Sequence, residues 1–234
     1  MRLPRQIVAD NVARIRERIG AAARSAGRSA SDVRLVAVSK YVDAATTALL
    51  LEAGCRDLGE SRPQQLWEKA AAPALADAQW HLVGRLQSNK IRRTLSLVDM
   101  IHSIDSERLL RAIEAEAAPL DLSPQVLLEV NCSGDAAKQG FAPDELRRLV
   151  PELASLVRVC VSGLMTMAPL EGGVSAARHS FAALRELRDE LSPYCPPTVR
   201  LDALSMGMSG DFEAAIAEGA TIVRIGSTLF DGIV

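Results

Sequence analysis

Lysine is scarce: Lys40, Lys69, Lys90 and Lys138 are the four lysines among 27 basic residues in a chain of 234. Charge of one sign is not in excess, with 29 acidic residues against those 27 and a formal net charge of −2. The charges are spread without a basic block, which argues against nucleic acid or an anionic membrane surface as a partner. Long apolar runs are missing too, and none approaches the ~18 to 20 residues of a membrane span. The N-terminus lacks a signal-peptide apolar segment, and Asp10 and Glu17 make it a poor transit peptide. Cysteines number four (Cys55, Cys132, Cys160, Cys195) and no metal-ligand spacing links them, so they read as reduced thiols in a cytoplasmic protein. Aromatics are 3% of the residues, which leaves Leu, Val, Ile and Ala to fill the core.

What is present is a regular alternation of short apolar runs and amphipathic segments. Ile7, Val8, Val12, Ile15 and Ile19 share one face of a helix over residues 4–24, ahead of the first strand. Strands are predicted at 33–39, 56–59, 79–83, 98–102, 125–131, 158–164, 201–204 and 221–225. Helices are predicted at 43–53, 63–71, from Ser88, at 106–117 with Asp105 as N-cap, 143–155, 174–191 and 208–218. Strict β–α alternation implies parallel strands joined by right-handed crossovers. Eight units with no linker between them fit a single-domain (β/α)8 barrel (TIM barrel) over residues 1–234 with an extra N-terminal helix. A monomer is expected.

In such a barrel the chemistry sits just after each strand. Arg34-Leu35-Val36-Ala37-Val38-Ser39-Lys40 is an apolar run that stops at a lysine. A chain this rich in arginine retains lysine where an amine nucleophile is needed, because an ammonium can lose its proton and a guanidinium cannot. At the far end, Ser205-Met206-Gly207-Met208-Ser209-Gly210 leads into a predicted helix, and Gly226-Ser227 follows the last strand. Small residues before a helix present backbone N–H groups to an anion, so Ser205, Ser209, Gly226 and Ser227 read as a phosphate cradle. A reactive lysine opposite a phosphate cradle suggests pyridoxal 5′-phosphate (PLP) held as a Schiff base on Lys40. Arg224, two residues before Gly226, shares its inward face. There its guanidinium would donate to the pyridine nitrogen and oppose ring protonation, which restrains carbanion chemistry.

Several of these segments together resemble one family. They are Val36-Ala37-Val38-Ser39-Lys40, Gly59-Glu60, Trp80-His81-Leu82-Val83-Gly84 with Leu86-Gln87-Ser88-Asn89-Lys90, Asn131 to Gly140, Leu204 to Ser209, and Arg224-Ile225-Gly226. The chain is similar in them to the pyridoxal phosphate homeostasis proteins (proline synthase co-transcribed bacterial homologues). The resemblance implies a barrel like the N-terminal domain of alanine racemase, PLP on Lys40, and a role in intracellular vitamin B6 balance with little or no turnover. PLP-dependent apoenzymes are the partners it suggests. Two departures stand out: Ser61 occupies the place of an Asn that the family keeps near the cofactor, and Phe230-Asp231-Gly232 replaces the usual Phe-Gly.

Other residue types have plainer readings. His81 and His102 at strand ends and His179 on a helix read as hydrogen-bonded structural residues. Met165, Met167, Met206 and Met208 read as packing beneath a pocket. Lys90 and Lys138 lie on loops, where they can bind phosphate or a partner. Two further activities stay open. An amino-acid racemase of the alanine racemase type needs an acid/base group on each face of the substrate carbon, and Tyr41 and Tyr194 are the two tyrosines on offer. A barrel aldolase using Lys40 is the other, and would need no cofactor.

Overall fold

The computed structural model describes residues 3–133, 139–169 and 171–233. Its eight strands close into one parallel barrel in chain order. They are β1 (Arg34–Val38), β2 (Asp57–Glu60), β3 (Gln79–Leu82), β4 (Met100–Ile104), β5 (Gln125–Glu129), β6 (Cys160–Met165), β7 (Ala203–Ser205) and β8 (Ile222–Ile225). The closing pair is β1 with β8, in register from Arg34 opposite Ile222 to Ala37 opposite Ile225. The helices outside it are α1 (Pro4–Ser25), α2 (Ala44–Glu52), α3 (Pro63–Ala70), α4 (Ile91–Leu95), α5 (Glu107–Ala117), α6 (Pro143–Leu149), α7 (Gly173–Leu191) and α8 (Phe212–Ala217).

The apolar stripe of α1 is buried, and the helix lies on the outside of the barrel against α2 and α8. Asn11, buried on the same helix, donates from Nδ2 to the carbonyls of Leu229 (3.1 Å) and Asp231 (3.0 Å), tying α1 to the C-terminal turn.

Element boundaries shift from their predicted places for identifiable reasons. Three strands start two residues later than expected, at Met100, Cys160 and Ala203, where register with a neighbouring strand begins. The segment after α6 tightens into a 3-10 turn, Val150–Ser155, because Pro151 cannot donate to an α-helical ladder. Ser106 rather than Asp105 caps α5, its Oγ accepting from the Leu109 N–H at 3.4 Å, and Asp105 in turn accepts from the Ser106 hydroxyl. The predicted helix 208–218 starts only at Phe212, since the Asp211 carboxylate takes the Met208 N–H (2.6 Å) and closes a turn first.

Two apolar clusters result. The large one fills the layer between strands and helices. The small one, Val36, Val38, Met100, Leu127, Met165 and Ile222, lies inside the barrel. It is small because His81, His102, Ser205 and Arg224, all buried, share that interior.

Candidate functional site

A cavity of about 420 Å³ opens at the C-terminal ends of the strands, where (β/α)8 barrels carry their chemistry. Lys40, Ser209, Arg224, Gly226 and Ser227 all line it, joined by Ser61, Gly84, Gly210 and Glu129. The loops after β2 and β3 close one side. A Cβ at Gly84 would fall 2.2 Å from the Ser61 carbonyl oxygen, so only glycine permits that approach.

Lys40 sits at the rim, and its side chain is exposed. The buried part of the strand ends one residue earlier, at Ser39, whose N–H still bonds the Gly59 carbonyl at 2.9 Å. The Lys40 ammonium lies 4.8 Å from the centroid of the Tyr41 ring, an exposed cation–π contact. Among the described residues, Lys69 is the buried lysine. Its Nζ donates to Glu60 Oε2 (2.6 Å) and to the Ser39 carbonyl (2.7 Å), clamping the ends of β1 and β2 beneath Lys40. Lys90 belongs to a 3-10 turn, Ser88–Lys90, away from the cavity lining. Lys138 lies outside the described residues.

The loops after the neighbouring strands β7 and β8 lie side by side along the cavity. Gly207 turns the chain out of β7 at φ +94°, and a Cβ there would meet Phe212 Cα at 2.9 Å. The backbone N–H groups of Ser209, Gly210 and Ser227 have no backbone acceptor among the described residues. The Gly226 N–H reaches Ser209 Oγ at 3.4 Å and links the two loops. With α8 only six residues long, these loop donors, rather than a helix end, are what an anion would meet. Ser205 is not one of them. It is fully buried below the lining, and its hydroxyl is engaged by Arg224 and His102. Of the residues predicted for a phosphate cradle, Ser209, Gly226 and Ser227 line the cavity, with Gly210 beside them.

Arg224 forms the floor. Nη1 donates to Ser205 Oγ (2.6 Å) and Nη2 to the Thr166 carbonyl (3.0 Å). Burial pushes its pKa down to about 10, against the attraction of Glu129 and Asp211, so it stays a cation near neutrality. Glu129, at the end of β5, is a site residue that the sequence reading passed over. The residue is 6% exposed and lines the cavity. Burial raises its pKa to about 6 although Arg224 pulls the other way. The available signal was a charge closing the apolar strand Val126-Leu127-Leu128, a position that reads as functional in a barrel. The thiol of Cys132 is pushed up to about 11 by burial, which removes it as a nucleophile. Among the described residues no cluster of metal-ligating side chains exists, and no helix is long and apolar enough to cross a membrane.

The arrangement therefore combines a rim amine, a buried cation on the floor, a buried carboxylate and two adjoining loops of N–H donors. The family description "Alanine racemase, N-terminal domain" matches residues 10–232. The chain is 40% identical to the pyridoxal phosphate homeostasis protein of Aquifex aeolicus over 94% of this chain and 96% of that one. It is 42% identical to the protein of that name from Pseudomonas aeruginosa, over 95% and 94%. Among solved structures, PipY of Synechococcus elongatus with PLP bound superposes with a TM-score of 0.84 at 38% identity, covering 95% of this chain and 99% of PipY.

Proposed function

The chain belongs to the family of pyridoxal phosphate homeostasis proteins, and from that premise we propose that it binds PLP through a covalent link to Lys40 and serves PLP homeostasis with little or no turnover. The observation that carries this reading is the convergence of Lys40, Arg224 and the two N–H loops on one cavity. The donor set fits the cofactor's groups. Lys40 supplies a primary amine at the rim of the cavity. Ser209, Gly210, Gly226 and Ser227 supply backbone and hydroxyl donors for a phosphate dianion. Arg224 supplies a fixed positive donor for an unprotonated ring nitrogen. Bound there, PLP would supply an electrophilic carbonyl and an electron-withdrawing ring. Glu129 would place a titratable carboxyl beside it. Ser61, on the cavity wall, is too short to make every contact of the Asn usual in the family.

The racemase reading rests on Tyr41 and Glu129, the acid/base groups that share the cavity with Lys40. Tyr194 is outside it, exposed on the turn Ser192–Tyr194. The proposal extends to a cytoplasmic monomer that exchanges PLP with apoenzymes; the four unpaired cysteines suit a reducing compartment.

Borohydride reduction of the PLP-loaded protein followed by peptide mapping tests the central assignment. The pyridoxyl group should be found on Lys40. A label on Lys69, Lys90 or Lys138 overturns it, and efficient racemisation by the unmodified protein moves the chain to the second reading.

A further inference from the structure

Arg224 is a buried cation with no carboxylate in ion-pair contact among the described residues, a costly state unless its charge is balanced by other means. A chain of buried side chains starts at its Nη1 and runs through the barrel interior. Ser205 Oγ lies 2.6 Å from Arg224 and 2.8 Å from His102 Nδ1. His102 Nε2 lies 2.9 Å from His81 Nδ1, and His81 Nε2 lies 3.0 Å from Asp57 Oδ1. His81, His102 and Ser205 are each at most 1% exposed. Asp57 opens β2 at the end of the barrel opposite the cavity. Because β4 and β7 are not neighbours, the His102–Ser205 bond crosses the barrel interior.

The direction of every bond follows from its two ends when both imidazoles are neutral. Arg224 can only donate, so Ser205 Oγ accepts and gives its own proton to His102 Nδ1. Asp57 can only accept, so His81 holds its proton on Nε2 and accepts at Nδ1 from His102 Nε2–H. Both demands are met by one pattern, with each histidine protonated on Nε2. We infer that Asp57, His81, His102 and Ser205 form a one-way hydrogen-bond chain that positions Arg224 at the cofactor ring and transmits to it the counter-charge of a carboxylate at the far end of the barrel. The logic is that of a carboxylate fixing a histidine tautomer so that a hydroxyl becomes a better partner, extended by one imidazole. Burial first, and then the nearby guanidinium groups of Arg224 and Arg34, hold His102 well below its ordinary pKa, so it stays neutral. The other charges facing the chain are Arg34, 3.7 Å from Asp57, and Glu129 and Asp211 on the Arg224 side.

The inference rests on the proposed place of Arg224 at the ring nitrogen, and the two are separable. Nitrogen-15 spectra of the cofactor-free protein should show His81 and His102 both protonated on Nε2 and not on Nδ1. An Nδ1–H tautomer at either one overturns the chain, and this measurement needs no variant. In the loaded protein, Asp57→Asn should shift the visible band of the cofactor in the same direction as Arg224→Gln and weaken PLP binding about two- to tenfold, the worth of one ordinary hydrogen bond. Arg34→Gln, which removes the neighbour of Asp57 but no link of the chain, should leave the band in place. A band and affinity untouched by Asp57→Asn, with Arg224→Gln still shifting the band, overturn the inference alone. If Arg224→Gln also leaves the band unmoved, the ring-nitrogen reading fails, and with it the inference.

Discussion

Single residues at this site are governed by burial. Glu129 shows how that becomes measurable. Its pKa in the folded chain is about 6, against 4.5 for an ordinary glutamate. Below about pH 4.5 the folded and unfolded chains both carry the proton, and the residue costs nothing. As the pH rises to 6 the unfolded chain ionises first, and stability falls. Above 6 the ionised carboxylate costs the fold about 2 kcal/mol, at about 1.36 kcal/mol per pKa unit. Glu129→Gln should therefore stabilise the cofactor-free protein against urea by about that much at pH 7.5 and by almost nothing at pH 4. An equal gain at both pH values would assign the effect to packing instead. Lys40 was legible because a lysine ending an apolar strand is conspicuous in an arginine-rich chain. The burial state of each lysine was not. Among the described residues Lys69 is the buried one, and nothing in its helical neighbourhood announces Glu60 as its partner, because that pairing is made across two elements.

At the scale of elements, the proposed phosphate recognition falls to the loops after β7 and β8. Their small residues were readable as a phosphate cradle, since glycine and serine are what close backbone approach to an anion requires. The length of α8 was not readable, because the Asp211 side chain competes with the helix for the Met208 N–H. Nor was the retreat of Ser205 into the floor, which depends on strand register carrying its side chain inward beside Arg224. If the loops rather than a helix end hold the phosphate, the affinity must come from a few localised hydrogen bonds. Each bond to a charged group is worth about 1.5 to 3 kcal/mol, so pyridoxal without its phosphate should bind at least about tenfold more weakly than PLP for each donor lost. Competition titrations followed by absorbance will measure the ratio. Equal affinities for the two compounds would remove both loops from the cofactor site.

The whole molecule was the most legible level. Alternation of short apolar runs with amphipathic segments leaves few topologies besides a closed barrel, and the eight strands do close in chain order. What alternation cannot reveal is which side chains meet inside, because pairs such as His102 and Ser205 come from strands that never touch. That interior bears on whether binding leads to turnover. Removing an α-proton from a bound amino acid needs a strong electron sink and a well-placed base. The barrel floor offers a buried Arg224 cation, which in the proposed site would disfavour ring protonation, and its acid/base candidates are an exposed Tyr41 and a buried Glu129. Exchange of amino-acid α-protons with deuterated water should accordingly be slow in the unmodified, PLP-loaded protein. Arg224→Glu supplies a carboxylate that favours a protonated ring, and it should speed the exchange. Arg224→Gln, which keeps donors for Ser205 and the Thr166 carbonyl, should fall between the two and serves as the variant that disturbs the floor least. Proton and mass spectra of recovered alanine will give the three rates. A parent protein that exchanges as fast as Arg224→Glu, or turns over near the ~10 s⁻¹ typical of enzymes, would show that Arg224 does not restrain the chemistry and that the barrel is a catalyst.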